Sequence, residues 1–185
     1  MELHNNRETL IVGIDHIGIN VPDIDTATIF LQNAFGAEVI YESYSKQQPP
    51  LDLAGIEDTL NVAKGTKIHA CRMIGIGYGP TVELFEVHVN GQREAIRSSD
   101  LGLQHFCVYT DDIAGSIGRF ASAGGRMLSG PNPILFPLEK GDHNYFCYGV
   151  TPWGTSVEFI TYPDGMPYEA GTKLRRWKGG KAGSL

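Results

Sequence analysis

The chain repeats itself. Residues 13–36, GIDHIGINVPDIDTATIFLQNAFG, lie over residues 102–125, GLQHFCVYTDDIAGSIGRFASAGG, at a constant offset of 89. Gly13 falls on Gly102, His16 on His105, Asp23 on Asp112, Ile24 on Ile113, Ala34 on Ala123 and Gly36 on Gly125. A second block follows at offset 75, where GPTVELF (79–85) matches GTSVEFI (154–160) and Glu83 falls on Glu158. Two ordered blocks with the same glycine, histidine and glutamate positions describe one unit used twice. That excludes folds without internal symmetry. The drop in offset gives the first copy about 14 extra residues. They fit in the stretch 44–67, rich in Gln, Pro and Gly.

Each copy opens with a strand pattern, Ile14–Val21 and Leu103–Thr110. A helix follows each: Asp23 or Asp25 caps Thr26–Phe35, and Asp111 or Asp112 caps Ile113–Ala123. Ile29, Phe30 and Leu31 are expected to turn toward the core. Gly36 and Gly124–Gly125 stand where a helix ends in the left-handed region. Further strands are expected at Ala37–Tyr44, Lys67–Ile74 and Thr81–Val89, then at Arg126–Ser129, Asn144–Gly149 and Ser156–Thr161. The order is strand, helix, three strands, twice over: an α+β chain of two tandem βαβββ modules, each sheet backed by one helix. The expected layout is an N-terminal extension (1–10), module one (11–99, with the inserted loop 44–67), module two (100–162) and a basic tail (163–185). The tail holds Lys173, Arg175, Arg176, Lys178 and Lys181, a solvated end, a dimer arm or a grip for an anionic substrate.

Strand alternation then sorts the polar residues. Ile17, Ile19 and Val21 share one face, and His16 takes the other. Val82 and Leu84 oppose Glu83; Val157 and Phe159 oppose Glu158; Phe106 and Val108 oppose His105. The helix-free face of each sheet therefore carries one His and one Glu. If the sheets meet about a pseudo-twofold axis, His16, Glu83, His105 and Glu158 converge. Two imidazoles and two carboxylates suit one divalent ion such as Zn, Ni, Co, Mn or Fe. Buried glutamates otherwise need a partner.

DHIGINVPDI, VELFE, LQHFCVYTDDI and PWGTSVEFI, with His16, Glu83, His105 and Glu158, resemble the vicinal oxygen chelate superfamily over residues 11–162. It includes glyoxalase I, methylmalonyl-CoA epimerase, fosfomycin- and bleomycin-resistance proteins and extradiol dioxygenases. The resemblance implies an open, cup-like mixed β-sheet with helices outside, around a metal bound by those four residues. It also implies a glyoxalase-like isomerase or lyase whose small substrate chelates the metal through two oxygens. Glu83 or Glu158 would be the base. Two competing readings remain at this level. An Fe(II) extradiol dioxygenase would use His16, His105 and Glu158 and keep Glu83 off the metal. A bleomycin-resistance-like binder would generally lack the quartet. His69, placed on a strand with Cys71 and Met73, and Tyr145 and Tyr148 beside the cup are candidate substrate contacts. His143 is a candidate acid–base residue. Asp52, Glu57 and Asp58 would reach the substrate if 44–67 is a lid. Cys107 reads as a small packed residue, and His4 and His88 as surface positions. The glycines at 75, 77 and 79 open no helix, so they mark a hairpin rather than a dinucleotide loop.

Composition narrows the partners. A formal charge of −6 lacks the footprint of a nucleic-acid binder. No apolar run approaches the roughly 18 residues a membrane helix needs. Three cysteines without a CxxC pair, and an N-terminus unlike a signal peptide, lead us to expect reduced thiols in a cytoplasmic protein. The expected assembly is a homodimer.

Overall fold

The computed structural model describes residue 11 and residues 13–178, so the extension 1–10, His4 and Lys181 lie outside the described residues. Thirteen elements follow in order: β1 (His16–Val21), α1 (Ile24–Phe35), β2 (Glu38–Tyr44), β3 (Leu51–Asp52), α2 (Glu57–Leu60), β4 (Lys67–Gly75), β5 (Thr81–His88), β6 (Phe106–Tyr109), α3 (Ile113–Ser122), β7 (Arg126–Met127), β8 (Asn132–Pro133), β9 (Tyr145–Val150) and β10 (Ser156–Thr161). A 3-10 turn at Pro167–Ala170 comes last. They form two five-stranded mixed sheets, ordered β1-β5-β4-β2 with β3 on β4, and β6-β10-β9-β7 with β8 on β9. The α+β, two-module expectation holds.

The inserted stretch is more than a loop. Its β3 pairs with the start of β4, Leu51 opposite Ile68. The second module repeats this with β8 on β9, Asn132 opposite Phe146. Sequence reasoning missed both strands because two residues carry no readable alternation. Asp52, Glu57 and Asp58 are all outside the core, Asp52 opposite Lys67 of β4.

Both helix starts follow from local chemistry. Asp23 accepts a hydrogen bond from the Thr26 amide at 2.7 Å, and Asp112 accepts one from Gly115 at 2.9 Å. Gly36 ends α1 at φ 68, where a side chain would be strained. Lys46, reaching back from beyond β2, contacts Asp23, Asp25 and Glu86. That ammonium and the Thr26 amide hold the Asp23 carboxyl well below the usual carboxylate range. Removing the cap by Asp23→Ala is expected to cost about 1 kcal/mol at neutral pH. Because the folded-state pKa is depressed, the contribution is present above the unfolded value near 3.8 and is lost as pH falls through the folded one. Urea titrations of both proteins should therefore converge in acid. An unchanged gap at low pH would remove the cap from the account.

One apolar core serves both modules. Ile24, Ala27, Phe30, Leu31 and Ala34 face it from α1. Ile29 does not. It lies on the far side of the helix and is 57% exposed, because the 100° step between residues carries it off the Ala27–Leu31 stripe. Phe30 and Phe35 of α1 meet Phe120 of α3 with ring centroids 5.3 and 5.8 Å apart, and Phe35 also stacks on Phe159 of β10 at 6.0 Å. Arg119 of α3 donates to the Asn33 carbonyl near the end of α1. The modules are thus joined through helices, while β1 and β6 remain free sheet edges, each bonded on one side only.

The tail is folded back as far as Lys178. Tyr162 Oη donates to the Trp177 carbonyl at 2.9 Å, the Arg176 amide donates to Tyr168 Oη at 2.7 Å, and the Lys178 ammonium sits over the rings of Tyr109 and Tyr162. Those 16 residues, 163–178, are an attached strap on module two rather than a solvated end. No helix among the described residues is long and apolar enough to cross a membrane.

Candidate metal centre

The parallel pairing of first and last strands positions the repeated residues. In module one Gly18 lies opposite Glu83, so His16 sits two residues before the glutamate's partner. In module two Cys107 lies opposite Glu158, and His105 again precedes that partner by two. The same register on the same face produces the same contact. His16 Nε2 is 3.3 Å from Glu83 Oε2, and His105 Nε2 is 2.9 Å from Glu158 Oε2. Adjacent ligands on an octahedral ion with bonds of about 2.1 Å stand about 3.0 Å apart, so each pair is already spaced as two neighbouring ligands.

The surroundings of each pair orient it. His16 Nδ1 lies 2.7 Å from Asp15 Oδ2, which keeps the proton on Nδ1 and turns the Nε2 lone pair toward Glu83. That hydrogen bond, with the Glu83 charge behind it, raises the His16 pKa above its ordinary value. Asp15 was not singled out from the sequence, although an acid beside a candidate ligand histidine is the available signal. Cys71 Sγ donates to Glu83 Oε1 at 3.3 Å, and burial pushes its thiol up to about 11. At the second pair, His105 Nδ1 is buried without a protein partner, and Tyr148 stands edge-on to the imidazole at 5.2 Å. Tyr148 is opposite Glu158 in the register, and burial beside that carboxylate raises its pKa, so it remains a protonated phenol.

Three expected neighbours lie elsewhere. Tyr145 pairs with Thr161, an odd step from Glu158, and so falls on the other face; its hydroxyl donates to the Asp142 carbonyl. His143 is bound to Asp164 at the surface, 3.1 Å away. His69 does not line up with Cys71 and Met73, because a bulge between Ile68 and Ala70 breaks the alternation. Its ring stacks on His88 with centroids 4.1 Å apart, near Glu86. Cys107 shares the Glu158 face but is exposed rather than packed.

The two His–Glu pairs do not form one cluster within the chain. Among the described residues, the three-donor group whose atoms all lie within 4.8 Å of one another is His69, Glu86 and His88. Between the modules opens a cleft of about 610 Å³ lined by Ile17, Thr81, His105, Cys107, Tyr109 and Trp177 among others. The chain thus presents two separate His–Glu pairs, one per module.

Residues 15–148 match the model of the glyoxalase/bleomycin resistance protein/dioxygenase superfamily. A 2-epi-5-epi-valiolone epimerase of an Actinomyces species is 31% identical over 170 residues, covering 90% of this chain and 88% of that protein. The ethylmalonyl-CoA/methylmalonyl-CoA epimerase of Cereibacter sphaeroides is 28% identical over 122 residues, 66% of this chain and 78% of that one. Among solved structures, a glyoxalase family protein of Bacillus cereus has a TM-score of 0.60 at 15% identity, covering 84% of this chain and 97% of its own. A mutant fosfomycin resistance protein of Listeria monocytogenes, complexed with Mn(II) and dihydroxypropylphosphonic acid, has a TM-score of 0.53 at 17% identity, covering 88% and 100%. At those identities the structural likeness concerns the fold.

Proposed function

The chain belongs to the glyoxalase/bleomycin resistance protein/dioxygenase superfamily, and on that premise we propose that it is a divalent-metal-dependent epimerase of small molecules. The metal would be held by His16, Glu83, His105 and Glu158. The carrying observation is the repeated His–Glu pair, spaced in both modules as adjacent ligands of one ion. The donor set fits: two neutral imidazole nitrogens and two carboxylates suit a borderline divalent ion, and Asp15 fixes the ligating tautomer of His16. The fosfomycin resistance protein of Listeria monocytogenes was crystallised with Mn(II), and both curated relatives are named epimerases, which favours an isomerase. A dioxygenase would need Glu83 away from the metal, whereas it lies against His16.

A divalent ion there would polarise two adjacent substrate oxygens as a Lewis acid. The remaining work falls to the chain. One of Glu83 and Glu158 takes a proton from the carbon next to a carbonyl, and the electron pair moves into that carbonyl. The other, on the equivalent strand of the opposite module, enters the turnover as the protonated acid and delivers its proton to the far face as the electron pair returns to carbon. The stereocentre inverts, and exchange with water restores both glutamates to their starting protonation states. Tyr148, kept protonated, donates to a substrate oxygen beside Glu158.

Two half-sites make one centre only when they meet. The intrachain joint uses α1 and α3, and β1 and β6 are left as unpaired edges. Exposed Ile14 leads into β1, and exposed Leu101 and Leu103 lead into β6. Free edges flanked by apolar side chains favour pairing with a second chain. The centre is therefore assembled in a homodimer, His16 and Glu83 from one subunit and His105 and Glu158 from the other.

Elemental analysis of protein purified without added metal, together with proton exchange in deuterated water, tests the reading. The expected result is at least one divalent ion per chain and deuterium entering 2-epi-5-epi-valiolone or methylmalonyl-CoA at the carbon next to the carbonyl. Exchange that persists after complete metal removal, or no exchange with either compound or with other α-substituted ketones and thioesters, overturns it.

A further inference from the structure

The α1 side of the first sheet holds a second group of donors. Along β5 the side chains alternate, so Glu86 points away from the face that carries Glu83. The β4 bulge delivers His69 to the same place, against His88. Glu86 is 6% exposed and anchored. Its Oε2 accepts from the Ile24 amide at 2.9 Å and from Lys46 Nζ at 2.9 Å, which leaves Oε1 facing His88 Nε2 at 3.4 Å. Donors on a tetrahedral zinc, with bonds of about 2.0–2.1 Å, stand about 3.3–3.4 Å apart, so this edge is already set. The donor atoms of all three residues lie within 4.8 Å, and a rotamer adjustment of His69 closes the remainder.

The local charge also favours a cation. Among the described residues, the lysine and arginine partners of Asp23, Asp25, Glu42 and Glu86 are Lys46 and Arg72. Four carboxylates against two cations leave two negative charges beside two imidazoles. Lys46 does not occupy the site, since it sits on Oε2 among Asp23 and Asp25 and holds the carboxylate in orientation. We infer that His69, Glu86 and His88 form a second divalent-cation site, separate from the His16–Glu83 and His105–Glu158 pairs. Two nitrogen donors and one oxygen select a zinc-like ion over magnesium or calcium. Bound there, it ties the β4 bulge to the end of β5 beneath the start of α1.

Zinc titrated into the metal-free full chain should bind at two equivalents. His16→Ala with His105→Ala should reduce this to one, and His69→Ala with His88→Ala should also leave one. Zinc should further raise the melting temperature of the His16→Ala, His105→Ala chain. A single wild-type equivalent that disappears in the His16→Ala, His105→Ala chain overturns the inference and leaves the proposed catalytic metal standing. A single equivalent that survives there supports the inference and removes the catalytic metal. If the His69→Ala, His88→Ala protein does not fold, cobalt(II) added to the His16→Ala, His105→Ala chain decides. Visible absorption of four-coordinate cobalt, lost on adding His88→Gln, supports the site, and its absence overturns it.

Discussion

Chains carrying His16→Ala with Glu83→Gln, and chains carrying His105→Ala with Glu158→Gln, are each expected to be inactive alone and to regain activity when mixed. Each pair supplies two metal ligands and one of the two carboxylates that move the proton. Losing the proton-transfer group alone costs about 10²–10⁴-fold. Mixed and allowed to exchange, the two variants form heterodimers in which one site collects all four altered residues and the other none. With half the dimers mixed and one of two centres intact in each, about a quarter of the wild-type rate returns. If the centre closed within one chain, neither subunit could repair the other, and the mixture would stay inactive. The readout is thus qualitative. All four side chains are at least partly exposed, so the substitutions leave the core in place. Subunit exchange, followed by mass-tagged chains, must be shown to occur; exchange without recovery sinks the two-chain centre.

Phe120→Ala is expected to remove about 3–5 kcal/mol of stability. Phe120 is fully buried and is the one buried residue of α3. Its ring touches Phe30, Phe35 and Phe159, so it holds α3 to its own sheet and to α1 of the other module. Gly125 and Gly149 make room for it: a Cβ at either would stand 2.2 or 2.7 Å from the ring. A domain is stable by only about 5–15 kcal/mol, so the loss should carry the midpoint of urea unfolding far down. Ile29→Ala, on the exposed side of α1, is the matched control and should change stability by no more than about 0.5 kcal/mol. A Phe120→Ala loss no larger than that of the control would mean the aromatic joint does not couple the modules.

Much of the candidate site was legible before the fold. The match of His16 with His105 and Glu83 with Glu158 put four residues on equivalent strands, and the two-residue period put them on the helix-free faces. Asp23 and Asp112 were legible as caps because a cap is a bond to an amide two or three residues on. Tyr145 and Tyr148 both read as flanking the cup; the register sets Tyr148 opposite Glu158 and Tyr145 opposite Thr161, an odd step away and so on the other face. His69 was misplaced for another reason: one extra residue in a bulge reverses every face assignment, and no composition marks it. Internal matching does not mark Asp15 and Glu86, because Gln104 and Thr161 stand at their positions in the second module.

The boundary between what the chain encodes locally and what packing decides runs through the site itself. Alternation, capping and internal matching are short-range, and they suffice to specify two modules, each with one His–Glu pair. Whether those pairs meet depends on which surfaces of the modules find each other. Here Phe30, Phe35, Phe120 and Phe159 join them through α1 and α3, leaving β1 and β6 unpaired. Residues far apart in sequence make that choice by filling one apolar volume. The same holds for the strap at 163–178 and for His69 beside Glu86 and His88: their positions come from contacts across tens of residues, which no local pattern records.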